Sequence, residues 1–223
     1  DAPESYGRAT HSINQVHNVT GEDVKQPYLG DTRPDVDENV DRTNWKGDDG
    51  EGVADEGINQ ILPESLKGKT NGILVLDRTK TGDLTLSVEA HTGGAEEATL
   101  YGWVDFNGNG TFDEDERSEK LTINADGTAT LVFKEAFKKV NASLSELGAR
   151  VRIAKDATQI EKPTGMALSG EVEDFEVHLT FLPKGSKTET DGLQGIPQTG
   201  TVVFTPNGKQ RYSLTDDATI DET

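Results

Sequence analysis

Cysteine is absent from the chain, which excludes a disulfide framework and every site that depends on a thiolate. Long apolar runs are absent as well, since no stretch reaches the roughly 18 residues that a membrane-spanning helix needs. Hydrophobic residues make up 32% of the 223 residues and aromatic residues only 6%, whereas glycines number 24. This composition is typical of a β-rich domain with many turns.

Positive charge is also scarce. The chain carries 41 acidic residues against 22 lysines and arginines, which gives a formal net charge of −19. Because a chain this acidic repels phosphate backbones and anionic lipid, we expect neither a nucleic acid nor a membrane surface as its partner. A basic protein or a divalent cation is favoured instead, and a merely solvated surface is the alternative.

Catalytic patterns are missing too. None of the four histidines (His11, His17, His91 and His178) stands beside a convincing nucleophile or in a zinc-binding spacing. There is no G-x-S-x-G motif and no phosphate-binding glycine loop before a helix. We therefore expect the protein not to be an enzyme.

What the chain does contain is period-two alternation, which begins near residue 72. In "DLTLSVEAH" the residues Leu84, Leu86, Val88 and Ala90 alternate with polar ones, and "FEVHLTF" repeats the pattern from Phe175. The segments "TLYGWVDF", "ATLVF" and "ARVRIA" are further strand candidates. Short strands separated by Gly, Asn and Asp turns predict an all-β fold of the β-sandwich class. Residues 133–147 are expected to carry a short helix.

The flanking regions differ in composition from this strand-rich part. Between Asp31 and Glu56, ten acidic residues accompany three basic ones, and we expect this region to form long acidic loops on the sandwich. Residues 182–200 are typical of a linker, and "TVVFT" and "RYSL" after it predict two strands of a truncated C-terminal β fragment. We divide the chain into a domain at 1–185 and a linker with partial repeat at 186–223. Since "DAPESYG" at the start contains no apolar leader, we expect a processed or excised piece of a longer protein.

The stretch "DFNGNGTFDEDE" matches the calcium-loop template at every position. The template would take its ligands from the following residues: Asp105, Asn107, Asn109, Thr111 (through its backbone carbonyl), Asp113 and Glu116. Strand-like flanks replace the paired helices of a calcium sensor, so calcium would brace the loop, with an affinity on the order of 10⁻⁴ to 10⁻³ M. The alternative is a glycine-rich hairpin turn that binds no metal.

Two further groups of residues are candidate ligand contacts. We predict that the acidic residues Asp48, Asp49, Asp55 and Glu56 form part of an adhesive surface that steers basic partners, the alternative being a solvated loop. Trp45 and Tyr101 could stack on sugar rings, although aromatic residues on strands more often fill the core.

The segment "SGEVEDF" carries a structural prediction. Strand parity places Glu171 and Glu173 on the core-facing side with Phe175, while Arg150 and Arg152 share one face of "ARVRIA". Because a guanidinium pairs bidentately with a carboxylate, we predict cross-strand ion pairs between these two segments.

The order of the motifs resembles that of GEVED domains of bacterial surface proteins. "DAPESYG", "PYLG" before an acidic loop, "GWVDFNGNGTFDEDE", "ARVRIA" and "SGEVEDFEV" occur in this order within residues 1–181. The tail "GLQGIPQTGTVVFTP" resembles the opening of the fibril repeats in streptococcal fibrillar adhesins. These resemblances imply a lectin-like β-sandwich at a fibril tip that binds a host matrix protein, with fibronectin the leading candidate.

The resemblance also sets expectations about context. It implies an extracellular, monomeric domain on the bacterial cell surface, anchored to the wall through a region outside this sequence. Two alternatives to the adhesin stay open: a calcium-dependent lectin that binds glycans, and a structural spacer without a ligand.

Overall fold

The computed structural model describes residues 2–12, 25–30, 33–34, 45, 72–77, 81–182, 201–204 and 210–213. Within these residues the regular elements are β-strands and single 3₁₀ turns, with no α-helix. The strands are β1 (Ala9–His11), β2 (Tyr28–Leu29), β3 (Gly72–Asp77), β4 (Leu84–His91), β5 (Ala98–Val104), β6 (Leu121–Ile123), β7 (Gly127–Phe133), β8 (Glu146–Ala154), β9 (Gly165–Ala167), β10 (Glu171–Leu182), β11 (Thr201–Phe204) and β12 (Gln210–Ser213). The 3₁₀ turns are Glu4–Tyr6, Glu114–Glu116, Ala136–Lys138 and Ala157–Gln159.

The strands assemble into sheets of different sizes. The largest has the order β3-β10-β8-β5-β6, a second has the order β2-β4-β7, and β1 pairs with β9 in parallel. The main pairings, β10 with β8, β8 with β5 and β4 with β7, are antiparallel. This sandwich-like, all-β arrangement confirms the predicted fold class.

Contacts along the chain separate two compact units. The first comprises residues 1–74 and 80–180, and the second comprises residues 75–79 and 181–223. In the second unit, β11 and β12 form an antiparallel pair, in agreement with the strands expected there. The domain division at residue 185 stays a prediction.

The central strand β5 is buried on both faces, since each of its residues is buried. One face points towards the three-stranded sheet, where Leu131 and Phe133 lie so close that a Cβ atom on Gly102 would come within 2.8 and 3.0 Å of their side chains. The opposite face carries Tyr101 and Trp103, which pack with other buried residues of the first unit. Burial on both sides explains why β5 reads as a nearly continuous apolar run.

The prediction of a short helix between residues 133 and 147 is wrong. Only the 3₁₀ turn Ala136–Lys138 forms there, and β8 already begins at Glu146. Glu135, which precedes the turn, has a left-handed backbone with φ 51°, and the Asn141 side chain accepts a hydrogen bond from the Ser143 N–H at 3.1 Å. A side chain that captures a nearby backbone donor competes with helical hydrogen bonding.

Gly170, which precedes β10, provides a test of this packing. Its φ is +80°, and a Cβ atom there would lie 1.7 Å from the Ile153 carbonyl oxygen. Gly165 is a matched control, because its φ is +99° but nothing lies within 4 Å of its Cβ position. We expect Gly170→Ala to lower the free energy of unfolding by about 3 kcal/mol or more, and Gly165→Ala by only about 1 kcal/mol.

Urea denaturation of the two variants beside the parent chain measures this difference. Equal losses in both variants would contradict a role for the close approach between Gly170 and β8.

Candidate functional site

The loop at residues 105–116 begins directly after β5 and is organised around the buried Asp105 carboxylate. Its Oδ1 accepts hydrogen bonds from the N–H groups of Gly108 (2.7 Å) and Asn109 (3.1 Å). Its Oδ2 accepts from the Gly110 N–H (2.9 Å) and from the Tyr6 hydroxyl (2.8 Å). One carboxylate therefore fixes both the turn of the loop and its contact with the start of the chain.

Three side chains converge on the outer side of this loop. Asp113 Oδ2 accepts hydrogen bonds from the side-chain amides of Asn107 (3.0 Å) and Asn109 (2.8 Å). The amide oxygens bond to the backbone instead, since Asn107 Oδ1 accepts from the Asn109 N–H and Asn109 Oδ1 from the Thr111 N–H, each at 2.9 Å. The structure thus brings together the side chains at the third, fifth and ninth positions of the template.

Glu116 closes the loop from its far end. Its Oε1 accepts from the Asn107 N–H (3.1 Å) and its Oε2 from the Asp113 N–H (3.0 Å), while only 1% of the residue is exposed. Burial raises the pKa of Glu116 to about 7, although the two backbone donors act in the opposite direction. A buried carboxyl of this kind favours a partner that stabilises its charge.

The donor chemistry of the loop fits calcium. Three carboxylates, two amide oxygens and a backbone carbonyl form the hard oxygen set that calcium prefers. However, the carboxylates are not gathered at one point: in the described part of the chain, no group of three or more His, Cys, Asp or Glu side chains is arranged to hold a metal ion. The strands β5 and β6 flank the loop, as predicted from its sequence. Calcium at this loop stays a proposal.

A small aromatic group adjoins the loop. The ring centroid of Tyr6 lies 4.6 Å from that of Phe112 and 5.0 Å from that of Trp45. Both Tyr6 and Trp45 lie against Gly148, where a Cβ atom would approach their rings to 2.7 and 2.5 Å. Trp45 is half-buried and is joined through Tyr6 to Asp105. Its nearness to the calcium-like loop was not apparent from the sequence.

The other predicted ligand contacts fall elsewhere. Tyr101 is 6% exposed, packs with Trp103 at 6.1 Å between centroids, and is covered by the Arg117 guanidinium at 5.0 Å. This environment agrees with the core alternative for Tyr101, and its role in sugar stacking stays a prediction. Four acidic residues lie outside the described residues: Asp48, Asp49, Asp55 and Glu56.

A buried ion pair joins β8 to β10, at the position of β8 that pairs with Trp103. The Arg150 guanidinium donates to both oxygens of Asp174, with Nε–Oδ1 at 2.5 Å and Nη2–Oδ2 at 2.8 Å. It also donates to the carbonyl oxygens of Gly7 (3.2 Å) and Pro163 (2.7 Å). Burial by itself would raise the pKa of Asp174, but nearby positive charge, chiefly that of Arg150, and the hydrogen bonds to the carboxylate together outweigh burial and hold that pKa well below its ordinary value.

Arg152 lies two residues further along β8 and is solvated by the backbone. Its guanidinium donates to three carbonyl oxygens and to the His11 ring. The dipoles of the carbonyl groups stabilise the buried positive charge. The distances are 2.8 Å to Lys162, 3.1 Å to Thr164, 2.9 Å to Gly165 and 3.1 Å to His11 Nε2. Burial, and then the charge of Arg150, lower the pKa of Arg152 to about 10.

The prediction that Glu171 and Glu173 pair with the arginines is wrong. In the register of β10 and β8, Asp174 lies opposite Arg150, whereas Glu173 lies opposite Val151. Both glutamates are buried on the other face, as their parity with Phe175 predicted, and Glu171 Oε1 accepts from the Leu29 N–H at 2.6 Å. A cross-strand ion pair exists, but its carboxylate is that of Asp174, because neighbouring residues of a strand lie on opposite faces and Asp174 shares the face of Arg150.

The fold and its buried centre define an all-β sandwich domain with loops at its edges. The sequence profile of the GEVED domain matches residues 99–178. The chain therefore contains a GEVED domain, a type of domain typical of bacterial surface proteins. No curated protein matches the chain.

Among solved structures, the crystal structure of the periplasmic chaperone SfaE is similar at 14% identity over 64% of this chain and 67% of that chain, with a TM-score of 0.30. Within the described part of the chain, no helix has the length and apolar character needed to cross a membrane.

The buried pair predicts a large effect of a small substitution. Asp174→Asn keeps the side-chain shape but leaves the Arg150 guanidinium buried without its counter-charge, so we expect a loss of about 3–5 kcal/mol in the free energy of unfolding. Lys134→Met is a suitable control, because it removes one partner of an ion pair with Asp83 that lies at the exposed surface. Exposed ion pairs contribute little, so this variant should unfold close to the parent chain.

Thermal or urea denaturation of the Asp174 and Lys134 variants measures the contrast. A loss in Asp174→Asn no larger than that in Lys134→Met would contradict the central role of the buried pair.

Proposed function

We propose that the chain is an adhesive domain of a bacterial cell-surface protein that binds a host extracellular-matrix protein, with fibronectin the leading candidate. The observation that carries this proposal is the GEVED domain at residues 99–178 within a chain of net charge −19. The resemblance of the tail to the fibril repeats of streptococcal fibrillar adhesins supports display on a fibril, anchored to the wall through a region outside this sequence.

The proposed mechanism is electrostatic steering onto a rigid scaffold. A strongly acidic surface attracts basic modules of a matrix protein and raises the association rate more than the affinity. The segment from Asp31 to Glu56, with ten acidic and three basic residues, is the proposed steering surface. The sandwich contributes a fixed platform, because its central strands are buried on both faces.

Neutralisation of the steering surface tests the proposal. We expect a variant with Asp48, Asp49 and Asp55 changed to Asn and Glu56 to Gln to associate more slowly with immobilised fibronectin. Its association rate should also depend less on ionic strength, because salt screens long-range attraction. Surface plasmon resonance at several salt concentrations measures both effects.

A matched control removes the same number of charges elsewhere. Four exposed glutamates suit this purpose: Glu96, Glu97, Glu146 and Glu161. If their change to Gln slows association as much as the first variant does, net charge rather than the proposed surface is responsible. If the parent chain does not bind saturably, the adhesin proposal fails and the structural spacer gains support.

A lectin is the second candidate function, and one observation favours it. The half-buried Trp45 packs on Tyr6, whose hydroxyl donates to Asp105 of the calcium-like loop. An aromatic platform beside oxygen-rich side chains is a common arrangement for a sugar ring. A glycan that competes away the binding of the matrix protein would favour this alternative over direct protein recognition.

We also propose that calcium braces the loop at residues 105–116. The residues that would hold it are Asp105, Asn107, Asn109, Thr111, Asp113 and Glu116, the last of which is a buried carboxylate that a cation would stabilise in its charged form. The ion would supply charge neutralisation and rigidity. No conformational switch is proposed, because strands rather than paired helices flank the loop.

Thermal denaturation in calcium and in EDTA tests the brace. We expect calcium at about 1–10 mM to raise the melting temperature of the parent chain. Asp113→Ala should abolish this rise because it removes a template oxygen, whereas Asp115→Ala should preserve it because position 115 is exposed and outside the template. Equal melting temperatures in calcium and in EDTA would contradict the brace and would favour the alternative, a hairpin turn that binds no metal.

A further inference from the structure

Residues 2–12, here called the strap, lie along the face of the sheet that carries the two buried arginines. The Ala2 N–H donates to Asp174 Oδ2 at 2.9 Å, and the Gly7 carbonyl accepts from Arg150. Further along, the Gly165 N–H donates to the Arg8 carbonyl (2.9 Å) and the Ser12 N–H to the Ala167 carbonyl (2.8 Å), which joins β1 to β9. Hydrogen bonds therefore hold the strap along its length, and the Tyr6 ring adds an apolar contact with the buried cluster of the first unit.

The His11 ring is the most constrained contact of the strap. Its Nδ1 lies 2.8 Å from the Ser169 carbonyl oxygen, which can only accept, so Nδ1 carries the proton. Its Nε2 lies 3.1 Å from Arg152 Nε, whose N–H can only donate, so Nε2 must accept. The two partners together require the neutral ring.

Protonation at Nε2 is incompatible with this geometry. It would direct an N–H of a cationic ring at the N–H of a guanidinium, and it would replace an attractive hydrogen bond by repulsion between like charges. Burial and the charge of Arg152, with a smaller contribution from Arg150, lower the pKa of His11 to about 3, although the Ser169 carbonyl acts in the opposite direction.

The described elements packed around His11 place positive rather than negative charge against its ring. Strand β8 contributes Arg150 and Arg152, and the Asp174 carboxylate of β10 is already bound by Arg150. Strand β9 consists of Gly, Met and Ala, without a titratable side chain. Gln26, which donates to the Ser12 and Gly170 carbonyls, is neutral.

We propose that His11 is an acid-sensitive latch: protonation of its Nε2 breaks the hydrogen bond from Arg152 and releases the strap from β8 and β9. Release would also withdraw Tyr6 from Asp105 and from Trp45, so acid would loosen the surroundings of the 105–116 loop. The latch thus links the pH of the medium to the loop that the second candidate function uses, but it does not depend on any ligand.

The direction of the pH dependence follows from the two states of His11. In the released strap the ring regains an ordinary pKa near 6.5, whereas in the closed strap the pKa is about 3. The released state therefore binds the proton first, and closure is fully favoured above pH 6.5 and weakens as the pH falls towards 3. Between these limits the equilibrium constant for release rises about tenfold for each pH unit.

Asp174 does not obscure this window. Its pKa is held below the ordinary value of 3.8, so its contribution to stability persists above that value and is lost only at lower pH. Measurements between about pH 7 and about pH 4.5 therefore leave the Arg150–Asp174 pair intact. Glu116, with a pKa of about 7, titrates in the same window, so a variant of His11 is needed to separate the two groups.

Amide hydrogen exchange of the full chain, corrected for intrinsic rates, tests the latch. Between about pH 6.5 and about pH 4.5 we expect the protection of the Ser12 and Gly165 amides to fall about 50-fold, because half of the released rings are already protonated at the upper pH. Amides in the pairing of β4 with β7 should keep their protection, which distinguishes local release from global unfolding. Unchanged protection of Ser12 and Gly165 would overturn the proposal.

Two variants separate the latch from other acid effects. His11→Gln retains an acceptor for Arg152 and a donor for Ser169 but cannot be protonated, so its strap should stay protected at about pH 4.5. His91→Gln is the control, because the His91 ring lies 3.4 Å from Asp126 and 3.8 Å from Glu89, away from the strap contacts, and should leave the loss unchanged.

An equal loss of protection in His11→Gln and in the parent chain would overturn the proposal. If His11→Gln does not fold, NMR titration of the parent chain decides instead. A His11 ring that stays neutral down to about pH 4.5 in molecules with a closed strap supports the latch, and a ring that titrates near its ordinary pKa while the strap stays closed overturns it.

Discussion

The burial of two guanidinium groups on one face of the main sheet is the constraint on which the rest of the structure depends. A buried charge is tolerated only when it is paired and its donors are satisfied. Arg150 meets this requirement with Asp174 and with the carbonyls of Gly7 and Pro163, and Arg152 meets it with the segment 162–165 and with His11. The strap and the segment before β9 thus lie where they do because they carry the acceptors that these arginines need.

The Gly-Glu-Val-Glu-Asp run at residues 170–174 performs several structural tasks at successive positions. Gly170 allows the chain to pass close to the Ile153 carbonyl, Glu171 holds β2 through the Leu29 N–H, and Asp174 neutralises Arg150. Because neighbouring side chains of a strand point to opposite faces, a single strand can serve both layers of the protein. The motif therefore organises the scaffold.

The strap connects this buried centre to the candidate functional loop. Its first part bonds to Asp174, its middle part places Tyr6 on Asp105 and beside Trp45, and its last part places His11 against Arg152. The strap therefore touches the buried ion pair, the loop and Arg152 in turn.

The sequence by itself determined the features that depend on local spacing. Alternation around Val88 and Phe175 predicted strands, and the calcium-like spacing predicted a loop, in which the Asp105 and Glu116 carboxylates accept hydrogen bonds from backbone N–H groups of the same loop. Tertiary structure alone decided that Asp174, not Glu171 or Glu173, pairs with Arg150, and that Tyr6 brings Trp45 to the loop. The physical reason is that periodicity is a property of neighbouring residues, whereas register and long-range contacts depend on how distant segments align. A shift of one residue in that alignment moves every side chain of a strand to the other face.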